Sequence, residues 1–291
     1  MPRHPLPVPL LARPLKPIDP YRRTAAYHRM LSVLYHAEAA AMEGFSLLTD
    51  PTYVDRCDLF DKASQRLVAD EQKHLDDIVS LVRRLGYDRV LPPSPAEAEF
   101  WTAWRAGDRF ALPYKPSVAA LFCLLSEGLG YAALHHLAEL TTDGEFKALL
   151  RANVVDEQVH LHLSLSVLGR ALAAAPTALL PDVIMYGLGY GLAARLALRE
   201  QRSLLDGLGM DFDVVIGSSI RFVVDLLMIA VKDAGLYDRR WRVLEAAGHA
   251  LGDHPALVRA LHWSMFLPEP PLGKQLVYGW TRWSPHPAAA A

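Results

Sequence analysis

The chain has 291 residues, with 30 basic against 32 acidic side chains and a net charge of −2, a balance that argues against a nucleic-acid polyanion as its main partner. Two cysteines, Cys57 and Cys123, exclude a cysteine-built zinc or iron–sulfur site within one chain and fit a reducing compartment; a core of this size needs no disulfide. The expectation is a soluble cytoplasmic enzyme: prolines break the N-terminus where a signal peptide has an unbroken apolar run, and the most apolar later stretch, Val214 to Val231, is interrupted by Arg221 and Asp225 and reads as a buried helix, not a membrane span.

Residues 1–20 are proline-rich and aperiodic, which predicts an extended arm, packed on the surface or disordered. From Tyr21 to about Leu48, apolar residues recur at Leu31, Leu34, Ala41, Phe45 and Leu48, the spacing of a helix facing a core. Glu38 falls on that stripe, where a charge is costly unless something pairs with it. Thr49-Asp50-Pro51 ends this helix, and a second is predicted from Asp58 to Leu85, stopped by Gly86. The connection Leu91 to Pro95 leads to a short acidic and aromatic helix, Glu97 to Arg105, and then a loop, Gly107 to Pro116. Ser117 is the expected cap of a third long helix reaching Leu140. Thr142-Asp143-Gly144 turns the chain, and a fourth helix runs from Glu145 to about Ala174. Three more helices are expected at about Asp182–Leu205, Phe212–Ala234 and Arg239–Phe266, with close packing at the small-residue run Gly187 to Gly191 and a loose tail from Trp280. The pattern divides the chain into an arm (1–20), a four-helix bundle (21–175), further helices packed on it (176–270) and a tail (271–291), an all-α protein throughout.

Two six-residue stretches carry the chemistry: Ala69-Asp70-Glu71-Gln72-Lys73-His74 and Val155-Asp156-Glu157-Gln158-Val159-His160. In a helix, residues i and i+3 share a face, so Glu71 stands with His74 and Glu157 with His160. Each pair is half of a binuclear metal site, and such a site needs one further inward carboxylate from each of two other helices. Glu127 supplies one ahead of the second motif. Ahead of the first, Glu38 is the choice for its place on the apolar stripe, with Glu43 as the alternative. Glu38 precedes Glu71 by 33 residues and Glu127 precedes Glu157 by 30, distances that suit a helical hairpin returning to the same height. Four carboxylates neutralise two divalent ions, and two imidazoles suit iron, with manganese in one position as an option. Asp70 and Asp156 are expected to accept a hydrogen bond from the ligand histidine of the opposite motif. Phe60 and Phe146 each precede a motif glutamate by eleven residues, a faint echo of duplication.

Other residues are read more plainly. Tyr131, one turn after Glu127, is either a partner behind the ligands or a core tyrosine. His135 extends its face and His136 does not. His162 points away from His160, Tyr35 and His36 flank Glu38 either as partners behind the ligands or as packing residues, and His249, His254 and His262 have no ligand partners at helical spacing. Gly187-x-Gly-x-Gly191 follows no strand and is a poor dinucleotide fingerprint.

The pattern Glu38, Glu71-x-x-His74, Glu127, Glu157-x-x-His160 resembles the ferritin-like di-iron carboxylate superfamily over residues 25–172. The resemblance implies a four-helix bundle with a long crossover between its second and third helices, and oxygen chemistry at two iron ions. It makes Glu71 and Glu157 the bridging, catalytic carboxylates, Glu38 and Glu127 the terminal ones, and His74 and His160 ligands of one iron each. Departures narrow it. Storage ferritins usually lack the second complete motif, and rubrerythrins often add a cysteine-rich module that two cysteines cannot build. Radical-forming reductase subunits have a tyrosine where this chain has Ile78, and arylamine N-oxygenases a histidine where it has Asn153. What remains are oxygenase, desaturase and aldehyde-deformylating types, which also fit the 28-residue spacing from Glu43 to Glu71; the expectation is an oxygenase or oxidase that activates O2 against a small organic, largely apolar substrate. Its electrons come from an external donor of the ferredoxin or reductase kind, and a homodimer is compatible. A ferroxidase or peroxide scavenger, and a non-enzymatic partner subunit with a structural metal site, stand as alternatives.

Overall fold

In the computed structural model the described residues are 5–11, 13–47, 58–111, 116–174 and 200–264; the regular elements among them are all α-helices, and Ile18 and Thr141 form one isolated parallel bridge. The helices are α1 (Thr24–Leu47), α2 (Asp58–Arg84), α3 (Pro95–Ala111), α4 (Pro116–Leu140), α5 (Gly144–Ala174), α6 (Phe212–Asp233), α7 (Arg239–Asp253) and α8 (Pro255–Ser264). Residues 200–208 are also helical. The turn expected at Thr49-Asp50-Pro51, the run Gly187 to Gly191, most of the helix expected at 182–205 and the tail lie outside the described residues.

The apolar stripe of α1 does what its spacing predicts: Tyr27, Leu31 and Leu34 are buried and α1 packs along α2. α2 ends where Gly86 takes φ +88°, a conformation that costs glycine nothing, so that the Tyr87 amide can donate back to the Val82 carbonyl (3.3 Å). A second hairpin pairs α4 with α5 across a turn at Asp143, whose carboxylate accepts from the Glu145 and Phe146 amides (3.0 Å each). The two hairpins meet through α2 against α5, and Tyr27 of α1 sets its ring edge-on to Phe146 of α5.

Three sequence expectations need correction. The helix expected at Glu97–Arg105 is longer, Pro95–Ala111, and takes in Gly107 from the predicted loop. Its start is a capping box: the Ser94 hydroxyl accepts from the Glu97 amide (3.2 Å) and the Glu97 carboxylate from the Ser94 amide (2.8 Å). Ser117 is inside α4 and does not cap it; Pro116 opens the helix, since a residue without an N–H and with φ fixed near the helical value fits the first position. The helix expected at Arg239–Phe266 is two, α7 and α8, broken at His254 (φ −102°, ψ 103°) because Pro255 disfavours helical geometry in the residue before it.

The arm is packed on the helices. Ile18 is buried, its amide donates to the Leu140 carbonyl (2.7 Å) and its carbonyl accepts from Thr142 (2.9 Å). Further back, the Leu10 carbonyl accepts from Ser218 of α6 (2.7 Å). By length and composition α6 is long and apolar enough to cross a membrane; in this fold most of it is buried against α4, α5, α7 and α8. Its charges meet α7: Asp225 pairs with His249 (2.7 Å) and Arg221 with Asp253 (2.6 Å).

The α6–α7 contact depends on two glycines at backbone distance. A Cβ on Gly217 would stand 2.2 Å from the Gly252 carbonyl oxygen, and one on Gly252 would stand 2.5 Å from that of Gly217. Gly217→Val is therefore expected to cost about 1–3 kcal/mol through overpacking and to lower the thermal midpoint by several degrees. Gly130→Ala, whose Cβ meets nothing within 4 Å, leaves the midpoint unchanged or slightly raised.

Candidate metal centre

Four helices each bring carboxylates or imidazoles to one buried point. α1 carries Glu38, α2 carries Glu71 and His74, α4 carries Glu127, and α5 carries Glu157 and His160; all six are buried, Glu71 and His74 at 0% exposure. Their ligand atoms form two overlapping groups, Glu38 with Glu71, His74 and Glu157, and Glu127 with Glu71, Glu157 and His160, the atoms of each lying within 4.8 Å of one another. The sequence left Glu38 and Glu43 open. The structure separates them: Glu38 faces His74, while Glu43 is half-exposed and its carboxylate takes the Arg105 guanidinium (2.8 Å).

The division of atoms is symmetrical. His74 Nδ1 lies 3.4 Å from Glu38 Oε2, 3.6 Å from Glu71 Oε2 and 3.3 Å from Glu157 Oε1. His160 Nδ1 lies 3.6 Å from Glu127 Oε2, 3.2 Å from Glu71 Oε1 and 3.3 Å from Glu157 Oε2. Each of Glu71 and Glu157 thus offers one oxygen to either histidine, whereas Glu38 and Glu127 serve one side each. The outer nitrogens face the opposite motifs without closing the expected hydrogen bonds: His74 Nε2 is 3.4 Å from Asp156 and His160 Nε2 is 3.5 Å from Asp70, and neither contact is aligned as a hydrogen bond.

Lys73 was missed by sequence reasoning. Its ammonium reaches Asp77 (3.1 Å), Asn153 (3.2 Å) and Asp156 (3.1 Å), tying the partner of His74 across α2 and α5. The available signal was its helical i,i+4 spacing to Asp77. Arg66 stands in the corresponding place beside Asp70, at 3.5 Å. Tyr131 is not brought to a ligand; its hydroxyl accepts from Gln158 (3.2 Å) and its ring stacks on Phe222 at 5.2 Å. His135 lies beside that ring, and His136 is buried elsewhere, hydrogen-bonded to Ser218 (3.2 Å). His36 meets the Leu91 carbonyl (2.9 Å), and His162 the Gln158 carbonyl of its own helix.

The donor set fits a pair of cations. Both oxygens of Glu71, Glu157 Oε2, both ring nitrogens of His160, His74 Nε2 and Asp70 Oδ2 are buried without an aligned hydrogen-bond partner. Orphaned polar atoms of this kind cost about 1–3 kcal/mol each unless something satisfies them. Four carboxylates balance two divalent charges, and carboxylate with imidazole is a donor set for iron or manganese.

Electrostatics agree. Burial pushes Glu38 and Glu127 well above the ordinary carboxylate range, reinforced by the charge of Glu71 on Glu38 and of Glu157 on Glu127. Burial presses Glu71 and Glu157 the same way, but the facing imidazoles of both histidines, with the neighbouring carboxyl of Glu38 beside Glu71 and of Glu127 beside Glu157, hold them low. Burial disfavours the imidazolium of His74, yet the facing carboxylates of Glu157, Glu38 and Glu71 raise it to about 12; His160 is raised in the same manner by Glu127, Glu157 and Glu71.

Asp156→Asn is expected to weaken metal binding about 10–100-fold, because a carboxylate behind an imidazole fixes its tautomer and raises its basicity. Competition against a chelating dye measures it, and Glu43→Gln, remote from the cluster, leaves the value unchanged. No family model and no curated protein matches the chain.

Proposed function

We propose that the chain is a ferritin-like di-iron oxygenase or oxidase that activates O2 against a small, largely apolar organic substrate. The observation that carries the reading is the division of oxygens: Glu71 and Glu157 each reach both histidines, while Glu38 and Glu127 reach one each. That is the layout of two bridging and two terminal carboxylates around two ions. When bound, an iron pair supplies redox capacity and Lewis acidity toward oxygen. Glu71 and Glu157 would be shared between the two ions, and Glu38 with His74 and Glu127 with His160 would complete the two halves. Asp156 and Asp70 face the outer ring nitrogens of His74 and His160, a placement that would favour the proton there and leave each Nδ1 to ligate. Burial of all six ligands excludes bulk water and strengthens every charge interaction among them. Electrons come from an external iron–sulfur or flavin donor, because the chain has neither a dinucleotide motif nor the cysteines for a cluster.

The test is stopped-flow absorbance after anaerobic loading with two Fe(II) per chain and a pulse of O2. The expected result is an oxygen-dependent visible transient whose decay is hastened by one member of a panel of apolar compounds. Immediate conversion to a featureless ferric product, with repeated turnover on added Fe(II), replaces this reading with a ferroxidase. No oxygen-dependent signal leaves a structural metal site.

A further inference from the structure

α7 is thinly covered. Gly252 is its one buried residue, and its outer side presents Val243 at 62% and Leu244 at 56% exposure, followed along the same helix by exposed Ala246, Ala247 and Ala250. Leu257, 45% exposed, adds to this apolar surface just past the break at His254. Arg239, Arg240 and Arg242 crowd the first turn, which holds no acidic residue. Cations there oppose the helix dipole, whose N-terminal end is positive, so helix stability does not account for them.

Nor do ion pairs among the described residues. Asp238, the cap of α7, holds Arg240 (2.8 Å), but Arg239 and Arg242 have no ion-pair partner among the described residues. The acids on α7 are engaged inward: Glu245 with Lys232 (3.2 Å) and Tyr237, and Asp253 with Arg221 (2.6 Å). The outer face is therefore net positive at one end and apolar along its length. An anion alone would leave Val243 and Leu244 unexplained, and an apolar partner alone the arginines. A phospholipid headgroup layer offers both, phosphates for guanidinium forks and acyl chains for shallow apolar side chains.

We propose that this face of α7 is a docking surface for an anionic membrane, on which the chain rests without spanning it. The probe is sucrose-loaded vesicles of phosphatidylcholine alone or with 30 mole per cent phosphatidylglycerol, at about 0.1 M salt where charge attraction still reaches a Debye length of roughly 10 Å. The full chain is expected to sediment with the anionic vesicles, not with the neutral ones, and to be released as salt is raised. Arg239→Gln and Arg242→Gln should each lower partitioning about fivefold, and the double change Val243→Ser with Leu244→Ser should lower it at least as much. These side chains are exposed, so thermal midpoints stay put and lost binding is not lost folding. Absence of binding to anionic vesicles overturns the proposal, as does equal binding by wild type and variants. So does a concentration-dependent dimer in light scattering that the valine–leucine double change abolishes, which would make a second copy the occupant.

Discussion

Glu157→Gln is expected to release both ions of the pair, whereas Glu38→Ala and Glu127→Ala each release one. The difference follows from which atoms face which histidine. Glu157 offers Oε1 to the His74 side and Oε2 to the His160 side, so exchanging its charge for an amide weakens both halves. Glu38 stands only with His74 and Glu127 only with His160. Loss of a bridging anion should weaken binding by at least about 10³-fold, beyond the 10–100-fold typical of a residue behind the ligands. Glutamine preserves volume, which separates lost ligation from a cavity. Equilibrium dialysis against Mn(II) gives the stoichiometry: two per chain for the wild type, one for either terminal variant and none for Glu157→Gln at the same free metal.

The second large effect is a reversal of pH dependence on metal loading. In the apoprotein the raised Glu38, Glu127, His74 and His160 make the folded cluster hold more protons than the unfolded chain. Stability falls with pH wherever the folded state binds the excess. The contribution of the two glutamates begins to be lost as pH rises above their ordinary value of 4.5, and that of His74 above 6.5, continuing toward its folded value of about 12. Glu71 and Glu157 act oppositely, and what they contribute is lost only as pH falls below 4.5. Between pH 6 and 8 the apoprotein should therefore melt at progressively lower temperature. Two divalent ions displace the same protons, so metal affinity rises over that interval and the loaded protein gains on the apoprotein. A free metal concentration a thousandfold above Kd adds about 4 kcal/mol. Paired thermal melts at pH 6, 7 and 8, with and without excess Mn(II), should diverge with rising pH; parallel curves would contradict the cluster's protonation.

Much of the cluster was legible because carboxylates and imidazoles that converge from helices write themselves as spacing. Glu71-x-x-His74 and Glu157-x-x-His160 each declare a helix face, and the two upstream glutamates lie at hairpin distance. Even the crossed partners, Asp70 to His160 and Asp156 to His74, follow from setting two identical motifs side by side. Glu38 could be preferred over Glu43 by its place on the apolar stripe, but only Arg105 on α3 shows where Glu43 goes. What spacing hides is contact between elements far apart in sequence. Lys73 reads as a surface lysine until α5 brings Asn153 and Asp156 to it. Tyr131 shares a helical face with Glu127, yet Gln158 and Phe222 claim it. The start of α3 is written in Ser94-Pro-Ala-Glu97, a capping box masked by the proline-rich run around it. Pro255 likewise marked the break between α7 and α8 that apolar periodicity ran across.

The most direct measurement is anomalous X-ray scattering at the iron edge from crystals of the chain loaded anaerobically with Fe(II). Two peaks are expected between Glu71 and Glu157, one beside Glu38 and His74 and the other beside Glu127 and His160. A single peak, peaks remote from these carboxylates, or none at saturating iron would contradict the two-ion site.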